Sequence, residues 1–248
     1  ETYHTKLKEI DTGSRTKLDA LRREYEEMRK RALHKYVDIV KAVNSTGDAL
    51  GNVKNAKNCF DGYDLEDVRY GQRVLQLKDA MDVSNTGLGS ELMYEYVSGG
   101  AGERNLKFSI ASSGALQDCT YAGWCKSSSN LFGCFGMKDG HYCILNKRCS
   151  KEEYENLVPR IIRHMDEMPF LGEAGRVYRY GEFFPIELSP FAYNQSVAQE
   201  YFPLSREEIM SRGYHWCEPE VKNPAIDLSP EKLPDHIRDV KDEILKQT

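Results

Sequence analysis

The chain has 248 residues, of which 40% are hydrophobic and 29% charged, and carries a formal net charge of −5. That is the composition of a folded chain with enough apolar material for a sizeable core, and it does not fit a disordered segment. No apolar run approaches the ~20 residues needed to cross a bilayer, and no basic-then-apolar opening marks a signal peptide.

Charge is spread unevenly, with a local balance of +3 over residues 1–47, −1 over 48–150 and −7 over 151–248. A dedicated nucleic-acid binder needs a basic field that this distribution lacks, which leaves the first segment as the only candidate for such a contact. Glu1 in place of Met suggests that the natural N-terminus lies upstream. From residue 14 to about 40, Leu18, Leu21, Tyr25, Met28, Ala32, Tyr36 and Ile39 recur at three- and four-residue steps. Leu33 widens this stripe, and Ser14 is placed to cap the helix it predicts. Such a helix serves either to pack over the first of the repeats downstream of it or as a coiled-coil partner. Its Arg22, Arg23, Arg29 and Arg31 are the candidate nucleic-acid contacts.

Residues 44–55 are turn-rich, and residues 58–146 then read as near-repeats: Asn58-Cys-Phe, Asp67-Val-Arg-Tyr, Asp79-Ala-Met, Ser90-Glu-Leu-Met, Asn105-Leu-Lys-Phe, Asp118-Cys-Thr-Tyr, Asn130-Leu-Phe and Asp139-Gly-His-Tyr. Each joins a small polar turn-former to an apolar side chain, at steps of 9, 12, 11, 15, 13, 12 and 9 residues. Steps this short leave room for one brief strand and one turn, which predicts a mainly β fold: a right-handed parallel β-solenoid with flanking α-helices. Phe60, Tyr63, Leu65, Val68, Tyr70, Leu75, Leu77, Met81, Leu92, Trp124 and Phe135 are among the residues assigned to its core and rung faces. Gly99-Gly100-Ala101-Gly102 reads as a flexible interruption of the repeat.

Five of the seven cysteines, Cys119, Cys125, Cys134, Cys143 and Cys149, follow at steps of 6, 9, 9 and 6. No pair has the close spacing usual in a zinc site, so they read as free thiols stacked in the core, which suits a reducing, cytoplasmic compartment. No metal ligands are assigned. Asp61, Asp64 and Asp67 fall at three-residue steps and Asp79 with Asp82 repeats that spacing, so Asp61, Asp64, Asp79 and Asp82 could form a carboxylate ladder that binds Ca²⁺ or hydrolyses a polysaccharide, or they could simply be turn residues.

After residue 146 the pattern turns helical. Ser150-Lys-Glu-Glu153 fits a capping box that opens a helix with Tyr154, Leu157, Ile161, Ile162 and Met165 on one face, placed to close the last rung, and Pro169 ends it. Residues 181–194 should be extended and anchored by Phe183, Phe184, Phe191 and Tyr193, the candidate binding aromatics. Arg176, Arg179 and Glu182 are placed to pin this segment by surface pairs. Ser205-Arg-Glu-Glu208 opens a short helix that stops at Gly213. A Pro-bearing linker over 219–224 leads to a last amphipathic segment with Ile237, Val240, Ile244 and Leu245. The expected divisions are therefore 1–47, 48–149, 150–218 and 219–248.

Ser127-Ser-Ser-Asn-Leu-Phe-Gly-Cys-Phe-Gly-Met-Lys138, Tyr142-Cys-Ile-Leu-Asn-Lys147, Gly181-Glu-Phe-Phe-Pro185, Leu188-Ser-Pro-Phe191 and Gln199-Glu-Tyr-Phe-Pro-Leu204 carry a resemblance. From about residue 47 onward the chain resembles proteins of candidate-phyla-radiation bacteria (Patescibacteria) that combine Cys-rich repeats with C-terminal zinc ribbons. Some of these are mislabelled as coenzyme A transferases. The resemblance implies a cytoplasmic bacterial protein, with zinc held in a ribbon beyond Thr248 and no cofactor in the chain itself. Ala80 and Leu106 stand where that group commonly has Cys, which argues against metal in the repeats. No phosphate loop, dinucleotide fingerprint, nucleophile elbow or zinc quartet occurs. The residues therefore point first to a non-catalytic scaffold with a protein partner or self-association. A nucleic-acid-associated factor and a carbohydrate-active β-helix enzyme are the alternatives.

Overall fold

The computed structural model describes residues 2–218, 229–242 and 244. Its dominant feature is a three-residue rhythm. From Asn52 to Asn85 every third residue lies in the left-handed region, with φ between 49° and 56°. The residue after each is turned inward and the next faces out, so β3 (Cys59–Val97) alternates one buried with two more exposed positions along most of its length. Nine of these twelve left-handed positions are Asn or Asp, the residues that adopt φ > 0 at least cost. Each such residue bends the strand, so what would be one long ribbon wraps into a coil with a corner at every third residue.

Four such sides close one rung. β1 (Ile39–Val43), β2 (Gly47–Lys54) and β3 pair in parallel, with Ile39 against Leu50 and Leu50 against Gly62. β4 (Arg104–Ile110), β5 (Gln117–Thr120), β6 (Ser129–Phe132) and β7 (His141–Ile144) continue the stack through the column Met93, Leu106, Cys119, Leu131 and Cys143. The result is a mainly β protein, a parallel β-solenoid of about 9 turns flanked by helices. The rung repeat is 12 residues at Leu50–Gly62 and widens to 13 at Met93–Leu106 and Leu106–Cys119. It returns to 12 at Cys119–Leu131. Inward positions locate the extra residue at one corner, where Thr86 to Ser90, Gly99 to Glu103 and Ser112 to Leu116 are four apart. Gly99 and Gly100 are thus part of a widened rung rather than a break in the repeat.

The rhythm decides the core. Leu65, Val68, Val74, Leu77, Leu106 and Leu131 are almost wholly buried, whereas Phe60, Tyr63, Tyr70, Leu75, Met81, Leu92, Trp124 and Phe135 stand exposed. The exposed group corrects the expectation that all of these form core or rung faces: only one position in three points inward, whatever its side chain. Of the five thiols expected in the core, Cys119, Cys125, Cys134 and Cys143 are buried, as is Cys59, whereas Cys149 is only half-buried. They do not form one continuous stack, though: where Cys119 and Cys143 share a column, Leu131 separates them. Burial pushes the Cys119 thiol up to about 12, so it is a neutral core group at neutral pH.

β8 (Lys147–Arg148) folds back antiparallel on β7 and ends the stack. α3 (Lys151–Glu167) opens on the expected capping box, Ser150 N donating to Glu153 Oε2 at 2.8 Å and Glu153 N to Ser150 Oγ at 3.1 Å. Beyond the last rung this helix also clads a flank of the solenoid. Tyr154, Leu157, Val158, Ile161, Ile162 and Met165 pack on a cluster made of Phe108 and Tyr121 in one column and Phe132 and Ile144 in the column beside it. Four apolar outward residues on two adjacent columns leave a patch that water would otherwise cover, and α3 buries it. After the hairpin of β9 (Phe170–Leu171) and β10 (Val177–Tyr178), short turns lead to α4 (Ala198–Tyr201) and α5 (Arg206–Ser211). The expected Ser205–Glu208 capping box opens α5, and Gly213 follows it at φ 69°.

The chain divides into two compact units, residues 36–217 and a second made of residues 1–35 with 218–248. The solenoid therefore begins at β1, inside what reads from sequence as helix. The N-terminal segment is two helices, α1 (Thr2–Glu9) and α2 (Arg15–Arg31), and α2 buries none of its residues. Its partner within the unit is the C-terminal segment. Ser14 Oγ and Thr16 Oγ1 donate to the Asp235 carboxylate, Arg15 N donates to Asp235 O at 2.9 Å, and Ile237 N to Gly13 O at 2.9 Å. Where an amphipathic helix was expected, residues 237–239 form a single 3-10 turn. The linker over 219–224 and Leu245 lie outside the described residues.

Candidate functional site

Aromatic side chains outside the solenoid gather on the flank clad by α3. Phe108 and Tyr121 stack at 4.9 Å between centroids, Tyr94 and Phe132 meet them edge-on, and Tyr180 and Phe184 close over Tyr121 at 6.2 and 5.7 Å. The Tyr121 hydroxyl fixes the covering segment: it donates to Glu182 O at 2.9 Å and accepts from Gly181 N at 3.2 Å. Burial pushes Tyr121 up to about 12, so it stays a neutral donor. Arg179 Nη1 holds the same segment to the Asp166 carbonyl at 2.9 Å. Arg176 donates to Arg212 O at 2.6 Å and lies 4.5 Å over the Tyr214 ring. Both arginines thus pin the segment through backbone carbonyls and a ring face, not through the surface ion pairs expected.

Between α3, the hairpin and residues 182–185 lies a cavity of about 250 Å³ lined by Tyr121, His164, Met165, Phe170, Phe183 and Phe184 among others. That is below the ~300–1,000 Å³ usual for whole small-molecule ligands. It suits one or two apolar side chains. Glu95, which feels the charge of the cavity-lining Glu182, is raised above the ordinary carboxyl range by burial, against a smaller lowering by a hydrogen bond from Tyr94.

Of the candidate aromatics, Phe183 and Phe184 line this cavity, while Phe191 is exposed and Tyr193 stacks on Tyr214 at 5.3 Å. Arg22, Arg23, Arg29 and Arg31 are exposed on α2, where Asp19 lies 3.7 Å from Arg22 and Glu26 3.1 Å from Arg29. Asp61, Asp64, Asp79 and Asp82 all occupy left-handed corners. A three-residue step moves along one side of the coil, so neighbouring members of this set occupy successive corners and do not stack. Asp64 instead accepts from Asn52 Nδ2 one rung earlier, at 2.6 Å. His141 faces out with Nδ1 2.8 Å from Ser129 Oγ, while Cys143 faces the core, so the two do not form an activated pair. Among the described residues, no group of three or more His, Cys, Asp and Glu is placed to hold a metal ion, and no helix is long and apolar enough to cross a membrane.

The flank itself was not legible in the sequence. Its members Tyr94, Phe108, Tyr121 and Phe132 are spaced by 14, 13 and 11 residues, and only the rung register shows that they fall in two adjacent columns, Tyr94 and Phe132 in one and Phe108 and Tyr121 in the other. No known protein family matches the chain, and no curated protein matches it.

Proposed function

We propose that this chain is a non-catalytic scaffold whose solenoid presents a protein-interaction surface formed by residues 168–202. One observation carries the reading: this stretch is anchored at Tyr121, yet Leu171, Leu188 and Phe202 are 69%, 66% and 73% exposed, alongside Met168, Phe191, Val197 and Tyr201. Apolar exposure of this kind on an ordered segment suits a partner that brings matching apolar side chains, with the flank cavity as an anchor pocket. A solenoid suits such a role because its rungs form a stiff platform. The five thiols sealed in the core, none of them in a disulfide, support a reducing and cytoplasmic setting.

The test is affinity purification of the full-length protein from its own cells under nuclease treatment, in parallel with a Leu171→Asp/Leu188→Asp/Phe202→Asp variant. A protein partner, or a second copy of the chain, that is retained by the native chain and lost by a variant of unchanged melting temperature supports the proposal. Equal retention by both sinks it, and so does recovery that the nuclease abolishes.

A further inference from the structure

The widened rungs enclose a carboxyl and a phenol among the core side chains. Tyr96 and Glu103 are wholly buried, Thr86 and Ser90 nearly so. The Ser90 hydroxyl is satisfied, donating to Gly87 O at 2.7 Å and accepting from Glu103 N at 3.1 Å. Thr86 Oγ1, the Tyr96 hydroxyl and both Glu103 carboxyl oxygens are shut from solvent and make no hydrogen bond of regular geometry, with the Tyr96 hydroxyl and the Gly100 amide the donors nearest the carboxyl. All three side chains converge at Gly99: a methyl group built there would strike Tyr96 and Thr86, and would lie 2.6 Å from Glu103 Oε2. The extra residue per rung and the bare Gly99 provide the room for this cluster, while the 12-residue rungs on either side are filled mainly by apolar groups and thiols, with Ser128 as a hydrogen-bonded exception.

A carboxylate in such a place is costly unless a cation or several donors face it. The titratable groups that face it are Tyr96 itself and, against Tyr96, the Cys119 thiol of the following rungs. Neither carries positive charge. Burial pushes the Glu103 carboxyl above its ordinary range, against smaller lowering contributions from the nearby Tyr96 hydroxyl and Gly100 amide. Burial likewise raises Tyr96. We infer that Glu103 is a proton-operated lock at the middle of the solenoid: its neutral acid is the form the closed rungs accommodate, and its ionisation loosens the widened rungs.

Linkage sets the sign. A carboxyl whose pKa is raised on folding holds its proton more tightly in the folded chain. Its contribution is complete below the unfolded value of about 4.3 and is lost as pH rises from there through the raised folded value. Within that window the unfolding constant rises by up to about tenfold per pH unit relative to a chain that cannot ionise at this position.

The experiment is equilibrium urea unfolding of the whole protein from pH 4 to 9, followed by Trp124 and Trp216 fluorescence, for the native chain and Glu103→Gln. The native chain is expected to lose stability with rising pH relative to the variant, and the gap to stop growing above the folded pKa. A constant gap across the range overturns the lock. A native-chain stability at neutral pH that depends on added Na⁺, K⁺ or Ca²⁺ also overturns it, because the carboxylate would then be ionised and cation-bound. If Glu103→Gln does not fold, the Cδ signal of ¹³C-glutamate-labelled native protein decides. A Glu103 carboxyl still protonated at pH 6 supports the inference, and titration near the ordinary ~4.3 refutes it.

Discussion

Asn105, Leu106 and Lys107 are consecutive, and the three-residue rhythm gives them three different fates. Leu106 is fully buried between Met93 and Cys119 in one interior column, and the backbones above and below it are held by rung hydrogen bonds. The site therefore has little freedom to collapse around a smaller side chain, so Leu106→Ala should cost about 3–5 kcal/mol, the upper part of the range for such truncations. Lys107 faces out, and Lys107→Ala should stay within about 0.5 kcal/mol. Asn105 sits at a corner with φ 53° and donates from Nδ2 to Asp118 Oδ1 at 2.6 Å. Asn105→Val combines ~1–2 kcal/mol for a left-handed β-branched residue with ~1 kcal/mol for the lost bond, or about 2–3 kcal/mol. Asn105→Gly keeps the turn and should lose only about 1 kcal/mol. Urea unfolding of the four variants, followed by circular dichroism, measures each. Equal losses at Leu106 and Lys107, or an Asn105→Val chain as stable as the native one, would refute the assignment of in, out and corner positions.

Other predictions use the same protein and simpler readouts. Gly87 has φ +137° and its missing Cβ would point into the Leu75 carbonyl, so Gly87→Ala should lower stability by more than about 2 kcal/mol. Gly136→Ala, at φ +66° with open space around it, should lose only about 1 kcal/mol by the same unfolding assay. In a thiol-labelling time course read by mass spectrometry, the half-buried Cys149 and Cys217 should react well before Cys59, Cys119, Cys125, Cys134 and Cys143; early labelling of Cys119 would contradict its burial. Tyr121→Phe strands the Gly181 amide and should loosen residues 181–184 while leaving the rungs intact, seen as faster hydrogen exchange in that segment alone. Hydrogen bonds from Ser14 and Thr16 hold Asp235 down at about 2. Their stabilising effect, complete above the unfolded value of about 3.9, should disappear as pH falls through about 2, visible in the Thr16 amide resonance.

The solenoid was legible because its signal is local. Asn and Asp recur where the backbone must adopt φ > 0, and apolar residues recur beside them, so turn-former and core residue announce each other within three positions. Asp67, Asp79, Asn105, Asp118 and Asn130, five of the residues read as repeat anchors, do occupy one corner column at the observed steps of 12 and 13. The same local chemistry also made Ser150 and Ser205 readable as helix caps, since each capping box closes within four residues.

What the sequence could not determine is which corners lie above one another, because that depends on how many sides close a rung. Three residues make a side and four sides make a turn, so Asp61 and Asp64 part to different corners while Phe108 and Tyr121, thirteen residues apart, become stacked neighbours. The same closure turns Phe60, Tyr63 and Trp124 outward despite their apolar character. It also encloses Glu103, a charged residue that no sequence pattern would place in a core. Residue spacing determined the bend at each corner, and only the closed coil decided which side chains meet, because contact between rungs is set by backbone register rather than by the identity of the residues it brings together.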